Sequence, residues 1–380
     1  MSTNPRIYLD FNATAPLGAD VRAAMTRVIA DTGNPSSIHA EGRRARDHIE
    51  RARDQVARLL GRPREQVVFT SGGTEGNALG VLGLAAVAEH RGLPRVVAAA
   101  AIDHPSLRGA VAALVSRGWR WAPIGVTGDG ALEIGSLAGV GLITLAAVNH
   151  ELGTIADPRL IAAARAAGAL VHVDAVQAAG KQALVGLDAD TIVVSAHKLG
   201  GPQGVGAIAI APDGGLPLIE AGHQERGRRP GTENTVGIVG LGAAADQVDA
   251  ATWDAVAALG DRLEAGLRAI DGVRIHGAGT PRIGGTINAG FAGARGESIV
   301  IALDLAGIAA STGAACTSGS VQPSPVLLAL GLGPDQAREA VRFSLGRSTT
   351  ADDIDAVLER LPPIVARARR YTASDAANRA

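Results

Sequence analysis

The stretch TIVVSAHKLGGPQG, residues 191–204, reads as a short strand that ends at a ligand site. Its first four residues are β-branched, and glycines follow Lys198. In open α/β sheets ligands bind beyond the carboxyl ends of the strands, where glycines let the backbone approach them closely. The stretch therefore indicates an α/β sheet with Lys198 at its ligand-binding edge.

Short apolar runs of the same kind recur along the chain and alternate with helical patterns. Continuous apolar strands between helices indicate a mostly parallel sheet covered on both faces. Beyond about Ile238 the pattern of apolar residues changes. We predict a smaller C-terminal α/β domain there, with a long helix at Trp253–Ile270. The other predicted strands are Gln66–Thr70, Arg95–Ile102, Gly141–Val148, Ala169–Asp174 and Gly206–Ile210, and the other helices include Ala45–Leu60 and Leu160–Ala167.

Composition excludes several classes of function. Of the 380 residues, 36 are Lys or Arg and 37 are Asp or Glu, and aromatic residues make up 2%. This balance gives no basis for binding nucleic acid or an anionic membrane. The single cysteine, Cys316, rules out an internal disulfide and a multi-cysteine metal site. We see neither a signal peptide nor an apolar run long enough for a bilayer, so we expect a cytoplasmic protein.

Two polar features follow predicted strands at the ligand-binding edge. The turn Ser71–Glu75 joins a strand to a helix that we predict to begin near Glu75, and it is either a phosphate cradle or a plain turn. Asp174, with Gln177 three residues later, is either a helix cap or a functional carboxylate. Each feature alone leaves both interpretations open.

Lys198 and Cys316 are the candidate reactive residues. Lys198 by itself is more simply a solvated charge, but a buried lysine has a lowered pKa and becomes an amine nucleophile. Cys316 lies in STGAACTSGS, residues 311–320, a stretch of small residues that predicts a loop over about 308–322. A lone cysteine is usually a small buried hydrophobic residue. Packing in the core is a poor explanation for a cysteine in such a loop, so a functional thiol is the other interpretation.

In combination these motifs resemble the NifS/IscS-like cysteine desulfurases, in the class V aminotransferase group of pyridoxal phosphate (PLP) enzymes. The resemblance extends from YLDFNATAP, at Tyr8, to RFSLGR, at Arg342. It implies the aspartate aminotransferase-like fold (fold type I) with a mostly parallel seven-stranded sheet. It also implies a large PLP-binding domain over 15–250 and a small domain made of 1–14 and 251–380.

The resemblance assigns cofactor contacts residue by residue. Lys198 matches the Schiff-base lysine, and Asp174 matches the carboxylate on the pyridine nitrogen, which keeps the ring an electron sink. Gln177 matches a donor to the ring hydroxyl, and His104 matches a histidine that stacks on the ring and moves protons. The residues that match phosphate contacts are Gly73, Thr74, Ser195, His197 and, reaching the cofactor of the partner subunit in a homodimer, Thr232.

The substrate residues and the sulfur carrier also follow from the resemblance. Arg342 matches the arginine that grips the carboxylate of L-cysteine through two parallel hydrogen bonds. Asn34, in GNPSS, matches a second contact to that carboxylate. Cys316, in TGAACTSGS, matches the cysteine that takes up the sulfur as a persulfide.

One position departs from the family pattern. In VNHELG, residues 148–153, His150 stands where the family usually has an asparagine that contacts the ring hydroxyl. An imidazole can donate there too, but it is larger and titrates near neutral pH. We hypothesise that His150 keeps the cofactor contact and alters the electronics of the cofactor.

The resemblance predicts removal of sulfur from L-cysteine, giving L-alanine and a Cys316 persulfide. The sulfur would pass to an acceptor protein, most commonly an iron–sulfur cluster scaffold, while nucleoside thiolation and DNA sulfur modification stay open. One alternative is another class V PLP enzyme, a selenocysteine lyase or an aminotransferase, and the ACTS loop argues against the latter. The other is a non-catalytic sulfur-relay scaffold. No direct nucleic-acid partner, membrane contact or metal is expected.

Overall fold

A seven-stranded sheet forms the centre of the larger part of the chain. The computed structural model describes residues 6–312 and 322–377. Within these residues the strands are β1 Ile7–Tyr8, β2 Val67–Thr70, β3 Val96–Ala100, β4 Arg120–Ile124, β5 Leu142–Ala146, β6 Leu170–Asp174, β7 Thr191–Ser195, β8 Gly206–Ile210, β9 Val273–His276, β10 Thr286–Phe291, β11 Ile308–Ala309 and β12 Ala340–Ser344.

The helices alternate with the strands over most of the chain. They are α1 Ala19–Val28, α2 Ala40–Leu60, α3 Gly73–His90, α4 Pro105–Val115, α5 Arg159–Ala166, α6 Thr235–Asp246, α7 Ala250–Arg268, α8 Gly296–Leu305, α9 Pro325–Ala329, α10 Pro334–Arg338 and α11 Ala351–Ala377.

The order of strands in the large sheet is β2-β8-β7-β6-β5-β3-β4. Strands β3 to β7 run parallel, and only β8 is antiparallel to its neighbours β7 and β2. Successive residues of one strand enter different cores: Val97 packs with α3 and α4 on one face, while Ala98 belongs to the core that contains α2, α5 and α6. Burial on both faces explains the continuous apolar runs. The predicted α/β fold with a mostly parallel seven-stranded sheet is confirmed.

A second apolar core joins the two ends of the chain. It contains Ile7 and Leu9 together with residues between Val256 and Ala368. Strands β12, β10 and β9 form an antiparallel sheet there, and β1 pairs with β11. Some later residues, among them Val326 and Leu327 of α9, pack with the first core instead. The division at residues 14 and 250 stays a prediction.

Element boundaries differ from the sequence predictions by a few residues. The helix expected near Glu75 begins at Gly73. Helix α2 begins five residues before Ala45, and its first turn was not predicted because it is largely polar and shows no helical spacing of apolar residues. The edge strand β4 was not predicted, because its sequence RWAPI is largely exposed and includes a proline. The predicted loop over 308–322 begins with strand β11, and residues 313–321, including Cys316, lie outside the described residues.

No helix within residues 6–312 and 322–377 has the length and apolar character needed to cross a membrane. Nor does this part of the chain bring together three or more His, Cys, Asp or Glu side chains that could hold a metal ion.

Candidate active site

A cavity of about 590 Å³ opens beyond the carboxyl ends of β5, β6 and β7. This is the edge of a parallel sheet where ligands bind. Most residues that the sequence singled out line this cavity together: Gly73, Thr74, His104, His150, Asp174, Gln177, Ser195, His197, Lys198 and Arg342.

Lys198 lies in a single 3₁₀ turn directly after β7, and its amine is held against the N-terminal segment. Its Nζ donates hydrogen bonds to the carbonyl oxygens of Asn12 at 2.6 Å and Ala13 at 2.7 Å. Burial, followed by the charge of Arg342, lowers the pKa of Lys198 to about 8. The side chain is therefore no solvated surface charge, and more of it is a neutral, nucleophilic amine near neutral pH than in an ordinary lysine.

Asp174 closes β6 as a buried carboxylate. Its oxygens accept hydrogen bonds from Val176 N–H at 2.9 Å and from Asn77 Nδ2 at 2.7 Å. Burial raises the pKa of Asp174 above its ordinary value. Among the described residues no cationic group lies within salt-bridge distance of Asp174. A buried carboxylate in this state favours a cationic ligand, such as a protonated ring nitrogen.

His104 caps the N-terminus of α4 and faces the same cavity. Its Nδ1 accepts a hydrogen bond from Ser106 N–H at 3.1 Å and lies 2.7 Å from Ser106 Oγ. These contacts place the proton of the neutral ring on Nε2. Burial lowers the pKa of His104, so the neutral ring prevails at neutral pH. Neutral His104 can give or take a proton through Nε2.

The imidazole of His150 is mostly buried, with 17% of its side-chain surface exposed. Burial first, and then the charges of His104 and Arg342, lower the pKa of His150 well below its ordinary value. Its Nδ1 is buried and has no hydrogen-bond partner in the described part of the chain. The adjacent Glu151 accepts a hydrogen bond from Ser324 Oγ at 2.6 Å, and burial raises the pKa of Glu151 to about 7. His150 therefore offers the cavity a neutral imidazole.

Arg342 projects from β12, which belongs to the second core. Its Nη2 donates to Asp10 Oδ1 at 2.8 Å, and Nη1 donates to the carbonyl oxygen of His150 at 3.1 Å. Its Nε is buried and, within the described residues, has no acceptor. A buried guanidinium with an unused donor at a cavity is suited to a carboxylate ligand.

The turn between β2 and α3 forms a second, adjoining cavity of about 410 Å³. Its lining shares Gly73, Thr74, Ser195 and His197 with the larger cavity. A Cβ on Gly73 would stand 2.8 Å from Val176 Cγ2, so this close approach requires glycine. The free N–H groups at the start of α3 favour an anion. Burial lowers the pKa of His197 to about 4, and it can donate as a neutral ring.

Two predicted site residues do not line the larger cavity in the single chain. Asn34 is exposed, and its Oδ1 accepts a hydrogen bond from Ser36 N–H at 2.9 Å within its own turn. Thr232 lines a separate cavity of about 140 Å³, which shares Ser71 and Gly204 with the adjoining cavity. Their assigned roles stay predictions.

Sequence reasoning did not single out Asn12, Asn77 and Lys181, which contact predicted site residues. Asn77 donates hydrogen bonds to Asp174 and to Ser106 Oγ. It lies one helical turn after Gly73, and this spacing could have indicated that both residues face the same site. Asn12 stands inside the YLDFNATAP motif. Lys181 lies four residues after Gln177, a spacing that could have indicated it, whereas its contact with Asn12 spans 169 residues and has no local signal.

Comparison with known proteins agrees with this geometry. The family model of class-V aminotransferases matches residues 7–357, so the chain belongs to that family. It is 40% identical over 376 residues to cysteine desulfurase 2 of Trichormus variabilis, covering 96% of this chain and 94% of the relative. It is also 40% identical over 377 residues to a cysteine desulfurase of Enterobacter agglomerans, covering 96% and 93%. A solved NifS-like protein superposes with a TM-score of 0.87 at 30% identity, covering 95% and 99%.

Class-V aminotransferases are PLP enzymes, and the cavity fits that cofactor. The amine of Lys198 with its lowered pKa suits a carbonyl, and the buried carboxylate of Asp174 suits a cationic ring. The glycine-lined start of α3 suits a phosphate. The buried Nδ1 of His150 is an unpaired group that a ligand could satisfy.

Proposed function

We propose that the protein is a cysteine desulfurase that transfers the sulfur of L-cysteine to Cys316. The Cβ–Sγ bond of the substrate breaks, and its sulfur forms an S–S bond with the Cys316 sulfur. The Cys316 thiol is oxidised to a persulfide, and the substrate carbon is reduced and takes up a proton to give L-alanine. L-cysteine and one thiol thus become L-alanine and one persulfide, with no external oxidant or reductant.

The observation that carries this proposal is where the chain enters and leaves the segment that contains Cys316. Before it, Ser311 pairs through its backbone with Arg342, with N···O distances of 3.1 and 2.6 Å. After it, Gln322 and Pro323 line the larger cavity. Cys316 is five residues from Ser311 and six from Gln322, a span of about 20 Å at full extension. The described residues on both sides of residues 313–321 thus lie at or beside this cavity, which supports Cys316, the only thiol in the sequence, as the sulfur acceptor.

In the proposed reaction, different residues of the cavity transfer protons, stabilise charge and bind the substrate. The PLP cofactor on Lys198 supplies an electron sink for the negative charge that develops at the substrate Cα. Lys198 is placed to take the α-proton, and His104 Nε2 to move a proton at the leaving sulfur or at Cβ. Asp174 keeps the ring nitrogen protonated. Arg342 would bind the substrate carboxylate, which competes with Asp10 for the guanidinium. Asn34 does not line this cavity in the single chain, and its proposed contact with that carboxylate rests on the family pattern alone.

We further propose a homodimer in which Thr232 contacts the phosphate of the partner's cofactor. A contact seven residues before Thr232 ties this segment to α2: Glu225 forms a buried ion pair with Arg53. An iron–sulfur scaffold protein is the proposed sulfur acceptor. The cytoplasm is the proposed compartment, because thiols stay reduced there.

Incubation of the PLP-loaded protein with L-cysteine tests the activity. We expect L-alanine in amounts equal to the sulfur gained by the protein, and a mass increase of one sulfur atom on the peptide that contains Cys316. L-serine, which has no sulfur, is the matched control substrate and gives neither product. Alanine formation without sulfur on Cys316, or no alanine at all, would contradict the proposal.

A further inference from the structure

Lys181 is a partly buried lysine beside the cavity that takes no part in the proposed reaction. Its ammonium donates hydrogen bonds to Gln177 Oε1 and Asn12 Oδ1, both at 2.8 Å. It also lies 5.3 Å from the centre of the Trp253 ring. An ammonium that contacts three groups near a ligand cavity differs from the solvated lysine of an ordinary surface.

The contact with Lys181 and a contact with the backbone of Asn12 together hold the Gln177 amide in one orientation. Gln177 Nε2 donates to the carbonyl oxygen of Asn12 at 2.9 Å. A carbonyl oxygen can only accept and an ammonium can only donate, so the two contacts allow one amide orientation. In the flipped orientation oxygen would face oxygen, and the NH₂ group would face the ammonium. Because Gln177 lines the cavity, its second N–H is left for an acceptor there.

The same contacts connect Lys181 to the reactive lysine. The carbonyl oxygen of Asn12 accepts from both Gln177 Nε2 and Lys198 Nζ, while the side chain of Asn12 accepts from Lys181. Burial, followed by the charges of Lys198 and Arg342, lowers the pKa of Lys181 to about 7. Positive charges on Lys181, Lys198 and Arg342 therefore disfavour one another, and an anionic oxygen bound nearby would stabilise the protonated form of Lys181.

We propose that Lys181 is a positioning residue that holds the Gln177 carbonyl away from the cavity, so that the Gln177 N–H donates to the anionic ring oxygen of PLP. This inference rests on the proposed function, which places that cofactor on Lys198. Lys181 itself does not touch the cofactor and acts through the amide.

The test uses PLP titrated into the full-length apo-protein, with the dissociation constant and the visible absorbance band as readouts. Lys181→Met keeps the apolar stem and removes the donor. We expect the dissociation constant to rise about tenfold, the effect of losing one aligned hydrogen bond, and the band to shift. Lys181→Arg restores donors to both oxygens, and a neighbouring cavity of about 270 Å³ leaves room for it. Its affinity should return to within about threefold of the wild type.

A double-mutant cycle separates positioning from general stabilisation. Gln177→Met removes the donor directly, and adding Lys181→Met to it should weaken binding by less than about threefold, because both changes break the same contact. Where thermal unfolding shows that Lys181→Met does not fold, Lys181→Leu, which also lacks a donor, replaces it with the same expected loss. Independent, multiplicative effects, or wild-type affinity in the uncharged variants, would overturn the inference alone. A wild-type protein that forms no visible band with PLP would overturn the proposed function as well.

Discussion

The imidazole rings of His104 and His150 meet edge to face in the cavity, with centroids 5.0 Å apart and planes at 81°. His104 reaches this position as the cap of α4, and His150 as part of the turn after β5. Each ring disfavours a charge on the other, and burial lowers the pKa of both. The pair therefore works as two neutral rings around neutral pH.

His150→Asn should change the cofactor spectrum but not its pH dependence. The variant removes an imidazole whose Nδ1 is buried and available to a ligand. Because the pKa of His150 lies well below 6.5, the residue contributes no titration near neutrality in the wild type. We expect a shifted visible band in the PLP-bound variant, with the same pH dependence as in the wild type. An unchanged band would show that His150 makes no cofactor contact, and a moved midpoint would show that it titrates.

Cys316→Ser should keep PLP and lose sulfur transfer. The residues that line the cavity are unchanged, so the visible band should match that of the wild type. A hydroxyl cannot take up the sulfur, and the chain has no other cysteine. Sulfide release from L-cysteine with a thiol reductant should fall to background, and Cys316→Ala is the matched control. Wild-type release in either variant would remove Cys316 from the mechanism.

Capture of PLP by the apo-protein should depend on pH through Lys198. Only the neutral amine attacks, so the capture rate should rise with pH around a midpoint near 8 instead of 10.5. Arg342→Gln removes a positive charge that lowers the pKa of Lys198, and it should move the midpoint upward. Arg342→Lys keeps the positive charge and should leave the midpoint of capture unchanged. The negative charges of Asp10 and Asp174 raise the pKa of Lys198 and are the same in both variants. A midpoint near 10.5 in the wild type would contradict the environment described for Lys198.

Arg342→Lys should separate substrate binding from cofactor binding. A lysine retains the charge but not the planar fork that binds a carboxylate with two hydrogen bonds. We expect KM for L-cysteine to increase about 10- to 100-fold, the equivalent of one charged hydrogen bond, while the PLP dissociation constant stays close to that of the wild type. Steady-state kinetics at saturating PLP measure the first quantity. An unchanged KM would mean that another residue grips the carboxylate.

Glu225→Gln should strongly destabilise the fold. Glu225 forms two hydrogen bonds of 2.7 Å with Arg53, and both side chains are at least 98% buried. The variant removes the carboxylate that pairs with the buried Arg53 guanidinium at 2.7 Å and leaves it only the longer contact with the partly exposed Glu50 at 3.3 Å. We expect a loss of about 3 kcal/mol of unfolding free energy, toward the lower end of the range for breaking a buried ion pair. Urea unfolding measures the loss, and Asp335→Asn, in the exposed pair with Arg338, should cause no measurable change. Equal stability of the two variants would show that the buried pair is dispensable.

Local sequence patterns were sufficient to predict the class of fold and to locate the candidate residues at the strand ends. The runs at Thr191–Ser195 and Gly206–Ile210 coincide with β7 and β8, because strands buried on both faces must be continuously apolar. Lys198 and Asp174 follow from the rule that ligands bind beyond the carboxyl ends of parallel strands. Strand β4 shows the limit, since an exposed edge strand needs no apolar run.

Contacts between residues far apart in the chain could not be predicted in the same way. Asp10 meets Arg342 across 332 residues, and Asn12 meets Lys198 across 186. No local period records such pairs, because the sheet and the second core bring them together only after both have folded.

The sequence by itself determined the class of fold, the family and the residue types of a PLP site, because these depend on local patterns and ordered motifs. Only the tertiary structure decided that Lys198 has a lowered pKa, that His150 is neutral and that Lys181 contacts both Gln177 and Asn12. Burial and Coulomb interactions depend on distances in space, and a sequence read residue by residue contains none. Lys198, a possible surface charge in the sequence, is thus a reactive amine because Asn12, Ala13 and Arg342 surround it.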